Sequence, residues 1–399
     1  MMEPIMITGA GMVSAIGNNV AETLHALMSR QTGIGRVAYQ ETEHKEFPVG
    51  EVKMSDEEMK QLLGITAEPT TRTSLMGMLA IHEALASAGL TQSTDQPIAL
   101  VSGTTVGGMD KTEQYYLDYL EGDQRNDYIK THDCGATTEL IARHFGLFTM
   151  VTSISTACSS AANAIILGAN LLRSGKARIV VVGGCECITK YHLNGFNSLM
   201  ILDHAQCRPF DADRAGLNLG EGAAYLVMET ADGAARRGAK PMALLSGYGN
   251  ACDAFHQTAS SDDGEGAYLA MQKALALAAL TPADIDYVNA HGTGTPNNDQ
   301  SESQALRRTF GHQMPPVSST KGLTGHTTSS SGSVEAVICL LALKHGFLPV
   351  NYGWANQMED GITPVMDAKP KRALRHVMCN SFGFGGNDSC LIISSPITQ

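Results

Sequence analysis

Short β-branched runs alternate with alanine-rich stretches and glycine turns along the whole of this 399-residue chain, and no low-complexity linker interrupts them. A pattern of this kind is buried when sheets are covered by the helices between their strands, so the fold class expected is α/β. The expected strands are Pro4 to Thr8, Ile98 to Ser102, Thr149 to Ile154, Arg178 to Gly183, Ala223 to Glu229, Met242 to Tyr248, Ile285 to Ala290, Val317 to Thr320, His376 to Ser381 and Ser389 to Ser394. Helices are expected in many of the gaps.

The two halves of the chain echo each other. Ile7-Thr8-Gly9-Ala10-Gly11 resembles Leu245-Ser246-Gly247-Tyr248-Gly249, and Val101-Ser102-Gly103-Thr104-Thr105 resembles Ala290-His291-Gly292-Thr293-Gly294. Val151 to Gly175 then matches Val317 to Gly346 in plan: strand, Ser/Thr-rich turn, long apolar helix, glycine stop. Two similar α/β halves follow, residues 1–239 and 240–399, with a junction near Gly238 to Pro241.

Composition narrows the function. With 28 Lys+Arg against 40 Asp+Glu the formal charge is −12, which argues against nucleic acid as a partner because phosphate binding needs a basic face. Nine cysteines without paired spacing predict a reducing compartment and no disulfide framework. Cys185 and Cys187 lie too close together for a zinc site, and no metal is expected. The longest apolar runs, such as Ile179 to Val182 and Val337 to Leu343, are far short of a membrane span, and the N-terminus has no signal-peptide pattern, so a cytoplasmic location is expected.

Three strand ends carry reactive side chains. Ser155-Thr156-Ala157-Cys158-Ser159-Ser160 follows a strand and precedes Ala161 to Leu172, a segment apolar on nearly every face and therefore a buried helix. At the start of such a helix the free N–H groups and the dipole favour a thiolate, which makes Cys158 a candidate nucleophile; an ordinary buried cysteine satisfies the same pattern. Asn289 to Pro296 places His291 in a glycine/threonine turn at a strand end, where α/β sheets bind ligands. Ser319 to His326 offers Lys321 and His326 in the same setting, and the helix after it carries Glu335. Together these residues form the set that carbon–sulfur acyl chemistry requires: an attacking thiolate, proton donors for an enolate oxygen and a fixed cation. Two other motifs read as structural. Gly9-Ala10-Gly11-Met12-Val13-Ser14 lacks the third glycine of a dinucleotide fingerprint and is expected to be a tight turn. Asp299 to Glu302 is expected to be a capping box before a helix.

These residues resemble the β-ketoacyl-[acyl-carrier-protein] synthases, especially the synthase II type, over essentially the whole chain. The likeness is carried by Ser155 to Ser160, Arg208-Pro209-Phe210-Asp211, Gly220-Glu221-Gly222-Ala223, His291 to Thr295, Lys321 to His326 and Asn380 to Asn387, in the family's order. It implies the thiolase fold, two duplicated α/β halves in a five-layered αβαβα architecture, with Cys158 in the N-terminal half and both histidines and Lys321 in the other. It also implies a decarboxylative Claisen condensation, in which Cys158 takes an acyl group from a carrier protein and an enolate from malonyl-carrier protein attacks it.

By matching positions, His291 and His326 would stabilise the enolate, and Lys321 would hold His326 with Glu335 as counter-ion. The backbone N–H groups of Cys158 and Phe384 would form the oxyanion hole, and Phe384 would gate the acyl pocket. Thr293 and Thr295 would bind pantetheine, and Val106 would line the far end of the acyl tunnel. No cofactor is bound covalently, phosphopantetheine arriving on the partner acyl carrier protein, and a monovalent cation near the strand ends is compatible with the resemblance. The chain is expected to act as a homodimer, or as a heterodimer with a second ketosynthase-like subunit, in fatty-acid synthesis or in a specialised polyketide, polyene or aryl-polyene pathway.

The sequence departs from the family's pattern at Thr328-Ser329-Ser330-Ser331-Gly332, where Gly-Ala-Ala-Gly is common, and at Gly386-Asn387-Asp388, where Gly-Thr-Asn is usual. A basic carrier-docking surface is reduced to Lys60 and Arg72, with Arg208 as a further contact. An inactive chain-length factor would lack Cys158, and a thiolase would need a second cysteine in Phe382-Gly383-Phe384-Gly385-Gly386; a non-enzymatic scaffold would leave the three-part site unexplained.

Overall fold

Ten strands join in one mixed sheet in the computed structural model, which describes residues 4–66, 69–90, 97–122, 126–369 and 372–396. They are β1 (Ile5–Ser14), β2 (Ile98–Gly103), β3 (Phe148–Ile154), β4 (Ile179–Glu186), β5 (Gly222–Thr230), β6 (Ala243–Cys252), β7 (Tyr287–Asn289), β8 (Val317–Ser318), β9 (His376–Gly383) and β10 (Asn387–Ser394). Each overlaps one of the ten expected runs, although β7 and β8 are shorter and β1 runs six residues further. The outermost residues of the two expected halves, 1–3 and 397–399, lie outside the described residues.

The strand order is β3-β2-β4-β5-β1-β6-β10-β9-β7-β8. Read outward from the centre, 1-5-4-2-3 on one side becomes 6-10-9-7-8 on the other, the same plan advanced by five. Parallel and antiparallel pairings match as well: β2 runs parallel to β3 and β4, as β7 does to β8 and β9. The two sides join through a short seam, Ile5 to Ile7 against Leu245 to Ala243. Helices Ser160–Arg173 and Ser331–His345 pack on each other and on strands of both sides, so they form the middle layer. Helix Arg72–Ser87 covers β1 and β5, and helix Glu265–Ala278 covers β6 and β10, which completes five layers. β4 is buried along its whole length between two layers, which is why Ile179 to Val182 reads as a continuous apolar run without alternation.

The glycine echo has a packing cause. Gly9 and Gly11 lie inside β1, and a Cβ there would stand 2.4 Å from the Ala84 carbonyl oxygen and 2.0 Å from that of Ala80. Gly247 and Gly249 of β6 meet Ala274 and Ala270 at 2.3 and 2.2 Å. The covering helix of each half thus rests on bare strand backbone, and the tight turn expected at Gly9 to Ser14 is instead a strand. At the far edge, β3 has no outer neighbour among the described residues and exposes Met150 and Val151.

Candidate active site

Cys158 sits on a sharp elbow between β3 and helix Ser160–Arg173, two residues before the helix begins. Ala157 has φ +50°, a left-handed conformation that costs a non-glycine residue roughly 1–2 kcal/mol. The elbow is held by its neighbours: the Thr156 N–H donates to Ser160 Oγ at 2.9 Å, Ser160 Oγ donates to the Ala157 carbonyl at 2.6 Å, and Ser159 Oγ donates to that of Thr156 at 2.7 Å. The backbone N–H groups of Phe384 and of Cys158 itself are aimed at the thiol sulfur. Burial nevertheless dominates and pushes the thiol up to about 12, against the pull of the Lys321 ammonium and the Phe384 N–H. Helix position favours a thiolate, as expected from the sequence, whereas burial favours the neutral thiol.

His291 and His326 face each other edge to face, with ring centroids 5.2 Å apart, and line one cavity of about 370 Å³ with Cys158, Thr293, Thr295 and Phe384. Lys321, 1% exposed, lies behind His291: its Nζ donates to the His291 carbonyl at 2.6 Å, stands 3.4 Å from His291 Nδ1, and pairs with Glu335. The Thr328 N–H donates to His326 Nδ1 at 3.2 Å, and Ser331 Oγ lies 3.0 Å from the same nitrogen. With Nδ1 turned to donors, the Nε2 of each ring carries the proton. Both histidines are held well below their ordinary pKa by burial first and then by the Lys321 charge, so they are neutral donors rather than cations. Burial raises Glu335 to about 7 against the attraction of Lys321.

Lys321 contacts His291 rather than His326, which corrects the expected pairing. Thr293 and Thr295 share a 2.8 Å hydrogen bond between their hydroxyls at the cavity wall. Phe384 stacks on Phe196 at 5.9 Å over the mouth. Val106 does not line this cavity: it is buried in the apolar core that includes Leu75, Met76 and Ile141, with its N–H on Glu186. Arg72 is no docking residue, being 4% exposed and clamped to Glu221 and Asp56. Lys60 pairs with Glu57. Arg208 keeps about a third of its side chain exposed, and its guanidinium donates to the Asp213 carbonyl.

Four further residues belong to the site and were missed. Helix Pro296–Phe310 begins with Pro296 at its first position, so Asp299 and Glu302 lie inside it and form no capping box. Pro after Thr295 was the available signal, since proline favours a first helical position. Glu302 instead accepts the His291 and Gly292 N–H groups at 2.9 and 2.7 Å, fixing the histidine turn. Ser331 touches His326, as described. Asn387, at the end of the Phe384 loop, accepts from Ser159, Asn163 and Asn250 at 2.7–2.9 Å on one oxygen. Glu186, fully buried, accepts from Thr104, Thr105 and Thr328. Cys185 and Cys187 contact Tyr225 and Thr73, and all nine cysteines are free thiols.

Comparison with known proteins identifies the family. The profile of the β-ketoacyl synthase N-terminal domain matches residues 2–234, and that of the C-terminal domain matches residues 242–354. Nodulation protein E of Rhizobium meliloti is 33% identical over 402 residues, covering 97% of this chain and 98% of its own. The 3-oxoacyl-[acyl-carrier-protein] synthase 2 of Vibrio cholerae is also 33% identical, over 409 residues, with 97% and 98% covered. Among solved structures, the ishigamide ketosynthase/chain length factor superposes with a TM-score of 0.91 at 28% identity, over 100% of both chains. The ketosynthase ApeO of Xenorhabdus doucetiae, in complex with its chain length factor ApeC, gives 0.86 at 30% identity over 99% and 98%. With a thiol, two neutral histidines and a buried lysine gathered in a thiolase-like core, and with both family profiles spanning it, this chain belongs to the β-ketoacyl synthase family of condensing acyltransferases.

Proposed function

We propose that this chain extends an acyl group by two carbons through a two-stage decarboxylative condensation, with Cys158, His291 and His326 as its catalytic residues. The observation that carries this reading is one cavity lined together by Cys158, His291 and His326. In the first stage the Cys158 thiol attacks the thioester of an acyl-carrier protein. The carbon–sulfur bond to pantetheine breaks as the new one forms, and the thiol proton leaves with the pantetheine sulfur. In the second stage malonyl-carrier protein loses carbon dioxide, and the electron pair of the broken carbon–carbon bond becomes an enolate. His291 and His326 donate to the enolate oxygen. Its carbon then attacks the Cys158 thioester, whose oxygen gains charge at the Cys158 and Phe384 N–H groups, and the cysteine sulfur departs as a thiolate that takes up one proton from solvent to restore the thiol. Lys321 acts through His291, holding its backbone and keeping the ring neutral, while Thr293 and Thr295 hold the pantetheine arm.

A monovalent cation near the strand ends is part of this reading. Its support is that Asn289 Oδ1, Asn380 Oδ1 and Glu335 Oε2 are buried oxygens without a hydrogen-bond partner among the described residues, on elements that pack together. This hard-oxygen set with one carboxylate would hold such an ion, which when bound would supply a fixed positive charge beside Glu335.

Fatty-acid elongation is one setting, consistent with the synthase 2 relatives. A specialised polyketide or polyene pathway is the other, favoured by the ketosynthase/chain length factor neighbours, and it would pair this chain with a second synthase-like subunit in place of a homodimer. The open β3 edge offers a place for either partner. Among the described residues no helix is long and apolar enough to cross a membrane, and a cytoplasmic setting accords with acyl-carrier substrates. Intact-protein mass spectrometry with a series of acyl-carrier thioesters tests the reading. Wild type should gain the acyl mass and Cys158→Ser should not; no gain with any donor, saturated or conjugated, in the presence of candidate partner subunits would overturn it.

A further inference from the structure

Behind the Phe384 loop lies a carboxylate that the condensation does not use. Asp388, the second residue of β10, is 4% exposed, and among the described residues no hydrogen bond reaches its side chain. It faces another buried acid, Asp253, which directly follows β6. Both side chains converge on the bare face of Gly266: a Cβ there would stand 2.3 Å from Asp388 Oδ2 and 2.5 Å from Asp253 Cβ. Asp253 Oδ2 is already committed to the N–H and hydroxyl of Ser261, at 2.8 and 3.0 Å.

The same few residues dock the gate. The Asp253 N–H donates to the Gly386 carbonyl at 2.7 Å, and the Gly385 N–H donates to that of Gln257 at 2.8 Å. Gly386 has φ +77°, and a Cβ on it would fall 2.0 Å from the Asp253 carbonyl oxygen. The loop that carries Phe384 therefore rests directly on residues 253–257, beside the two acids.

Among the described residues no ion pair joins a cation to either acid. From helix Pro296–Phe310 a third acid, Glu302, faces the site; Lys273 on helix Glu265–Ala278 is held at the Asn250 carbonyl, and Arg308 is paired with Asp263 and Glu265. Cys390, farther along β10, is a buried thiol. Burial first, then the charges of Asp253 and Glu302, push Asp388 up to about 8.

We propose that a proton held on Asp388, beside Asp253, latches the Phe384 loop in the position seen here, making Asp388 a positioning residue that sets how often Cys158 is open to the cavity. The inference rests on the reading that this loop gates Cys158. Because protonation accompanies the latched state, the latch is complete at low pH and is lost as pH rises through about 8. Asn at either position supplies a permanent N–H donor to the remaining carboxylate, so Asp388→Asn and Asp253→Asn should both stay latched at all pH values.

The test is the rate of Cys158 alkylation by iodoacetamide, followed on the Cys158 peptide by mass spectrometry across a pH series bracketing 8, in wild type, Asp388→Asn and Asp253→Asn. Thiol ionisation is common to all three, so the ratio of wild type to each variant reads the latch alone. That ratio should be near one on the acid side and rise by up to about tenfold per pH unit through the transition, the limit for release of one proton. Parallel profiles in wild type and both variants would overturn the proposal. If Asp388→Asn does not fold, Asp253→Asn provides the same comparison. The readout needs no carrier protein, so a rising ratio beside failed acylation by carrier thioesters would sink the condensation reading and leave the latch standing.

Discussion

Ser331→Ala removes one hydroxyl from a fully packed position and should separate the two stages of the reaction. Ser331 is 1% exposed, and its Oγ lies 3.0 Å from His326 Nδ1 and 3.3 Å from Thr327 Oγ1. Alanine keeps the rest of the side chain, and no helix cap is lost, because Ser331 is the first helical residue and its hydroxyl makes no capping bond. His326 Nδ1 retains the Thr328 N–H at 3.2 Å, so the tautomer survives while the ring loses one of two restraints. A net hydrogen bond is worth about 0.5–1.5 kcal/mol, which translates into a slowing of roughly 2- to 13-fold. That loss should fall on decarboxylation and condensation, where His326 Nε2–H meets the enolate, and leave acylation of Cys158 unchanged. A donor to Nδ1 favours the neutral ring, so its removal should also move the acid limb of the condensation profile to higher pH. The assay follows carbon dioxide release from malonyl-carrier protein by pre-acylated enzyme, alongside the acylation rate from mass spectrometry. Equal slowing of both stages, or an unchanged acid limb, would refute the assignment of Ser331 as a support for His326.

Three further outcomes are expected. Glu302→Gln places an amide N–H against one of the two backbone donors it now accepts, which should cost about 1–3 kcal/mol in denaturant unfolding and slow condensation more than acylation. Gly11→Ala drives a Cβ to 2.0 Å from the Ala80 carbonyl oxygen, backbone against backbone, so helix Arg72–Ser87 must lift from β1; a melting temperature within a degree of wild type would contradict this packing. Asp110, largely buried beside Lys111, is raised by burial to about 6, so the stability it contributes when protonated is lost as pH rises through that value. Asp110→Asn should therefore melt progressively above wild type from pH 4 to 7, by a difference of up to about 3 kcal/mol.

Local chemistry explains which features the sequence revealed. Most of the ten strands were legible as short β-branched or apolar runs between turns, and the elbow at Cys158 because a Ser/Thr turn separates strand from apolar helix. Features set by distant neighbours were hidden. Gly9 and Gly11 look like a turn until helix Arg72–Ser87 is laid across them, and Arg72 looks like a surface charge until Glu221, 149 residues away, closes on it. The ionisation of Cys158 is similar: its helix is visible in the sequence, but the depth of its burial, which raises the thiol, is not. Asn387 and Asp388 stood out only as departures from a pattern, since neither the three donors on the first nor the acid facing the second is near in sequence.

The seam between β1 and β6 is only three residue pairs long, yet every essential part of the site is divided across it. Cys158 belongs to one side of the sheet, and His291, His326, Lys321 and the Phe384 loop belong to the other. Catalytic geometry is thus a gauge of how the two halves are seated on the paired helices between them. Slippage of a fraction of an ångström in that middle layer, too small to expose core or alter secondary structure, would register first as lost condensation. Substitutions on Ser160–Arg173 or Ser331–His345 that never approach substrate can therefore silence the enzyme while it remains folded.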